Sequence, residues 1–200
     1  DAGSLDAMYD LGDCYLDGEG VNENKKLATE WYTKAAELNH LKSQAALGAL
    51  YMLGGEGLNQ NYVLAEKFLT ISAEKDFPKA QLFLSMLYLR MEEYAKALVW
   101  ARKVADIEPD AYSILGEIYL YGLGVDKNEY EGLKYYEKAA NNGDADAQNI
   151  VGNLYSANEF KWFNLDNAFK YYHLLIKTKQ ERNKLTRCPP PTKMLSIIQH

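Results

Sequence analysis

Two hundred residues, 48% of them hydrophobic, can bury a sizeable core, and sixteen Tyr supply rings that pack while their hydroxyls seek partners. A formal net charge of −6 argues against a nucleic-acid binder, which needs a basic surface. No apolar run approaches the roughly 18 residues of a membrane helix. The opening Asp1-Ala2-Gly3 reads as no signal peptide, and Cys14 and Cys188 are too few for a disulfide framework.

Along the chain one short pattern recurs: an apolar residue, a small residue, two variable residues, then Tyr. It stands at Leu11–Tyr15, Leu47–Tyr51, Leu84–Tyr88, Leu115–Tyr119 and Val151–Tyr155, at spacings of 36, 37, 31 and 36 residues. A fixed period of this size predicts stacked helix pairs. In the first unit, Ala7, Leu11, Gly12 and Tyr15 at helical spacing form a helix A, with Cys14 expected to be a small buried hydrophobe on it. Gly18-Glu19-Gly20 ends that helix and Asn24 caps a helix B carrying Leu27, Ala28, Trp31, Tyr32, Ala35 and Ala36.

The second unit repeats this plan with Gly55-Glu56-Gly57 in its loop. The third departs: Met91-Glu92-Glu93-Tyr94 replaces the glycine loop and about five residues are lost, as in the 34-residue tetratricopeptide form. The fourth returns to the long form with Gly122-Leu123-Gly124. The fifth has a loop without Gly, Ser156 to Asn164, and its helix B carries Leu175-Ile176 where earlier units have Ala-Ala, as a last repeat with a different neighbour needs. From Lys177 the chain turns basic. Cys188-Pro189-Pro190-Pro191 breaks any helix, and Met194–Ile198 reads as an apolar flap over the end of the stack or as a partner-binding tail.

Ala7…Leu11-Gly12…Tyr15…Gly18-Glu19-Gly20-Val21…Leu27-Ala28…Trp31-Tyr32…Lys34-Ala35-Ala36 resembles a Sel-like (SEL-one-like) repeat, and Ala111 to Gly143 resembles it equally well. The resemblance covers roughly residues 5 to 176. It implies an all-α fold: a right-handed α-solenoid of about five antiparallel helix pairs, with helix A of each pair lining the concave side. The expected division is a solenoid over 1–176 and a basic, Pro-containing tail or cap over 177–200. Bacterial proteins of the family serve in envelope processes, host interaction, signalling and toxin immunity. On that resemblance alone the compartment, otherwise open, tilts toward a bacterial periplasmic or secreted setting.

The residues offer no chemistry. His40, His173 and His200 are far apart, no Cys/His cluster has metal-ligand spacing, and no nucleophile motif is present. The Gly-x-Gly turns follow helix C-termini, whose negative dipole end repels phosphate. No catalytic residue, metal or cofactor is therefore expected. What remains is the concave surface.

Counting from the first residue of each motif, positions −5, −2, +2, +5 and +6 of helix A point into it. These include Tyr9, Asp13 and Asp17; Ala49, Met52 and Leu53; Leu82, Met86, Leu89 and Arg90; Glu117 and Tyr121; and Asn153. The +2 line is acidic, then apolar, then acidic. An apolar patch framed by charge marks a partner site, here for an apolar segment with basic flanks, unless curvature or the tail closes the groove. The expected function is non-catalytic protein–protein recognition of a protein or peptide partner through this groove. The alternatives are an immunity or inhibitor protein that sequesters a cognate enzyme, and a structural or signalling scaffold.

Overall fold

Each motif Tyr closes its own repeat through its backbone carbonyl. The acceptors are Tyr15, Tyr51, Tyr88, Tyr119 and Tyr155; the donors are the amides of Asn24, Asn61, Glu93, Asn128 and Asn164, at 2.6–2.9 Å. In every unit the donor is the residue just before helix B. The third unit reaches this bond in five residues and the others in nine or ten, so the loop shortens without moving the point where helix B starts. Where the donor is Asn, its side chain also caps helix B. Oδ1 of Asn24 and of Asn61 accepts from Leu27 and Leu64 N at 3.0 Å, Asn128 from Glu131 N at 3.1 Å and Asn164 from Asn167 N at 3.0 Å. Such a cap contributes about 1 kcal/mol. Glu93 makes no such bond.

The computed structural model describes residues 2–55, 57–157 and 163–185. Among them the chain is a helix-pair repeat solenoid without strands. It divides into two compact units, residues 1–135 and 136–200. The first holds α1 (Ala2–Asp17), α2 (Lys25–Glu37), α3 (Leu41–Leu53), α4 (Tyr62–Ala73), α5 (Pro78–Arg90), α6 (Tyr94–Val104), α7 (Ala111–Tyr121) and the start of α8 (Glu129–Asn141). The second holds the end of α8, α9 (Ala145–Ser156) and α10 (Leu165–Leu185).

Helix α10 runs on past residue 176, so the expected boundary there lies within a helix. The Pro run, Cys188 and the apolar Met194–Ile198 segment lie outside the described residues.

The small motif residue is a contact point. A Cβ on Gly12 would lie 2.4 Å from the Tyr32 ring, on Gly48 2.5 Å from Leu69 Cγ, and on Gly152 2.7 Å from the Tyr172 ring. The partner on helix B therefore sits where a side chain would be. Around these contacts Tyr32, Leu47, Leu69, Leu84 and Leu115 are fully or almost fully buried, each such side chain stabilising the fold by ~1.5–3 kcal/mol.

Three of the motif hydroxyls find partners as well. Tyr88 donates to Glu66 and Tyr155 to Glu137, both at 2.8 Å, and Tyr119 accepts from Arg102. Cys14 is a free thiol and only half-buried, because α1 is the terminal described helix and has a neighbour on fewer sides.

A second repeated device is a buried glutamine. Gln44, Gln81 and Gln148 stand early in α3, α5 and α9, and the Nε2 of each donates to a carbonyl at the end of the preceding B helix. The acceptors are Ala36, Ala73 and Ala140, at 3.0–3.1 Å. Each of these carbonyls also accepts from a turn amide, of Asn39, Asp76 and Gly143 respectively, so the glutamine is a second donor that ties the start of an A helix to the end of the B helix before it.

Candidate functional site

In the first unit the A helices α1, α3, α5 and α7 form the inner row. Each residue advances roughly 100° around a helix. The +2 position therefore marks the middle of the inner face, with +5 and −2 about 40–60° to one side. Asp13, Ala49, Met86 and Glu117, all at +2, are half-buried and partly open.

The flank behaves differently. Helix α3 packs on α5 and α5 on α7, and Met52 (+5) and Leu82 (−2) lie 1% exposed in the shared core. These two expected groove residues are core residues, because their flank faces the next A helix. Leu89 is half-buried against the same core. Leu53 and Tyr121 are 57% and 63% exposed, and Asp17 and Arg90 are exposed, at the C-terminal ends of their helices. Asn153 belongs to the second unit, where it is exposed and accepts from the Tyr172 hydroxyl at 2.8 Å.

Of the residues at the expected groove positions, Tyr9, Asp13, Leu16, Lys42, Ala45, Ala49, Leu53 and Lys79 line a single cavity of about 360 Å³ over α1, α3 and α5. Its floor is Ala45, Ala46 and Ala49, whose short side chains leave the space. Leu16 and Tyr32 form one wall, Phe77 and Phe83 the other, and Lys42 and Lys79 stand at the rim. Ala46 and Phe83 occupy the −1 position, roughly 60° to the other side of +2, which the motif count left out. Tracing the opposite flank around the helix would have found them. Phe77 precedes α5 in a turn, and no helical spacing predicts it.

The charges of the groove are unevenly satisfied. At the rim, Lys42 pairs with Asp6 at 3.0 Å, His40 approaches Asp6 at 3.4 Å, and Lys79 pairs with Glu108 at 3.4 Å. Lys42 and His40 hold the Asp6 carboxyl below the usual carboxylate range. On the α1 wall Asp13 accepts a hydrogen bond from the Tyr32 hydroxyl. Burial, then the Asp13 charge, pushes the Tyr9 hydroxyl up to about 12; burial and Asp13 push Tyr32 higher still.

Among the described residues no Lys, Arg or His pairs with Asp13, Asp17 or Glu117. Glu117 has no hydrogen bond either, and burial alone raises its pKa.

Among the described residues no set of three His, Cys, Asp or Glu could hold a metal ion, and no helix is long and apolar enough to cross a membrane.

Comparison with known proteins supplies a context. The family model described as Sel1 repeat matches residues 5–40, 41–77, 109–144 and 145–177, skipping only the shortened third unit. The curated chitin synthase regulator SKT5 of Saccharomyces cerevisiae is 35% identical over 152 residues, which is 72% of this chain and 22% of that protein. The chain thus spans about a fifth of that relative. A Sel1 repeat protein of Oxalobacter formigenes superposes with a TM-score of 0.73 at 31% identity, covering 86% of this chain and 70% of that one. The immunity protein Pa5087 of Pseudomonas aeruginosa shares the fold, with a TM-score of 0.63 at 21% identity over 94% of this chain and 75% of that one.

Proposed function

The chain belongs to the Sel1 repeat family, and from that premise we propose that its concave face is the docking groove of a non-catalytic protein-interaction scaffold. The observation that carries this is the cavity over Ala45, Ala46 and Ala49. Within a stack whose B helices are pinned by glycine contacts, the short side chains of Ala45, Ala46 and Ala49 leave an open apolar space. Packing alone favours filling such a space, since each uncovered apolar side chain forgoes ~1.5–3 kcal/mol. A partner's side chain recovers it. Glutamate at Ala49 and Leu53, both lining the cavity, is expected to abolish partner capture while the helical circular-dichroism signal is unchanged. Undiminished capture by Ala49→Glu/Leu53→Glu would overturn the groove assignment.

A second reading has its own support. The curated relative is a regulator of an enzyme, and Pa5087 is an immunity protein. We infer that the partner is an enzyme that the chain regulates or holds in check by covering it. Purified chain added to the captured enzyme would then change its rate at stoichiometric concentration; an unaltered rate leaves the scaffold role alone. Bacterial relatives support an extracytoplasmic context in general terms, and a periplasmic or secreted location is the finer proposal, to be read by cell fractionation.

A further inference from the structure

Deepening the groove reading above and resting on it, the charge pattern says what kind of segment fits. The two lysines at the cavity rim are already paired with Asp6 and Glu108 of their own chain. Asp13 and Asp17 on α1 and Glu117 on α7 have no cationic partner among the described residues. The apolar space therefore lies between two uncompensated acidic positions. The parallel A helices add to this. Their C-terminal ends share one edge of the groove, and each carries a partial negative charge. Asp17 stands on that edge. Burial raises the pKa of Glu117, as expected of a carboxylate that lacks a counter-charge.

We propose that the groove takes an extended segment of a partner protein that seats one bulky apolar side chain in the Ala45–Ala49 cavity and places a Lys or Arg on each side of it, one toward Asp13 and Asp17 and one toward Glu117. The spacing follows from helix packing. Neighbouring inner helices lie ~8–10 Å apart, and an extended chain advances ~3.3 Å per residue. From α3 through α5 to α7 is two steps of direct packing, or about five to six residues; Asp13 lines the cavity itself, so the cation toward it stands about two to three residues from the anchor. A cation at both ends neutralises the acids that the fold leaves unpaired, whereas an acidic flank meets like charge on both sides.

The test is selection of a random twelve-residue peptide library on the immobilised full chain, with Ala49→Trp, which fills the cavity, as the counter-selecting variant. Binders are remeasured by fluorescence anisotropy against Asp17→Asn and Glu117→Gln, each checked for native circular dichroism. The expected result is a set of peptides lost on Ala49→Trp, carrying an aromatic or large aliphatic anchor. Lys or Arg should be enriched two to three positions to one side and five to six to the other. Each charge-removing variant should weaken binding several-fold and flatten its salt dependence. Ala49-dependent peptides with no basic enrichment, or with acidic flanks, would overturn this inference and leave the groove reading standing. Failure to enrich any Ala49-dependent peptide would overturn both.

Discussion

Gly48→Ala tests the packing logic on which the groove depends. Gly48 lies in α3, directly beneath α4. A Cβ there would stand 2.5 Å from Leu69 Cγ, 2.8 Å from its Cδ2 and 3.2 Å from the carbonyl oxygen of Ala65. Comfortable carbon contacts need ~3.5–4.0 Å, so Leu69 must retreat by about 1 Å. It is fully buried and has nowhere empty to go.

Against this stands the helix preference for Ala over Gly, ~0.8–1.0 kcal/mol. Overpacking costs ~1–3 kcal/mol, leaving a net loss of up to about 2 kcal/mol. For a chain of this size that lowers the melting midpoint by up to ~8 °C. The assay is thermal and urea unfolding followed by circular dichroism, with hydrogen exchange of the α3 and α4 amides to show whether the loss is local, since a solenoid can open repeat by repeat. Leu69→Ala alone should cost ~2–5 kcal/mol. Combined with Gly48→Ala it should cost less than the sum by ~0.5 kcal/mol or more, because the clash is gone. A Gly48→Ala midpoint above the parent's, or strict additivity, would refute the argument.

Further outcomes follow from particular polar groups. Gln44 donates to Ala36 but its Oε1 is buried without a partner, whereas the Gln81 amide also reaches Asp76 at 3.2 Å. Gln44→Leu should thus lie within about 1 kcal/mol of the parent and Gln81→Leu should lose more, ~1–3 kcal/mol, by chemical unfolding. Tyr9 and Tyr171 are each raised to about 12, Tyr9 by burial and Asp13, Tyr171 by burial and Glu137. The unfolded chain releases these phenolic protons near pH 10. Between about pH 10 and 12 the folded state holds more protons, so stability present below pH 10 should fall across that window in a pH series of melts. Glu117, raised by burial, makes the opposite case for removing a charge. Glu117→Gln should stabilise the chain at pH 7, since burial disfavours the charged carboxylate, and that advantage should vanish below the unfolded pKa of ~4.3; equal effects at pH 7 and pH 3.5 would contradict it.

Much of this fold is written in the motif spacing. The Gly and Tyr positions, the Asn caps and the shortened third unit are set by backbone and nearest-neighbour contacts, which recur at a fixed period. The rotation that sets the +2 positions along one side of their helices is legible too, because it depends only on turning about each helix's own axis. The burial of Met52 and Leu82 is not. Their exposure depends on how closely α3, α5 and α7 approach, and that distance is set by side chains of three repeats together. Phe83 and Phe77 escaped for related reasons: one lies on the opposite flank, the other in a turn outside the helical period. The pairing of Lys42 with Asp6 and of Lys79 with Glu108, which decides the sign of the groove, joins residues about 30 positions apart.

The measurement closest to the central claim compares two tryptophan substitutions in the full chain against the partner captured by affinity from the source organism. Ala49→Trp fills the concave cavity; Val63→Trp enlarges a residue 77% exposed on α4. With both variants natively folded by circular dichroism, Ala49→Trp should weaken partner binding at least tenfold in calorimetry and Val63→Trp should leave it unchanged. Full affinity in Ala49→Trp, or loss confined to Val63→Trp, would place the binding surface elsewhere.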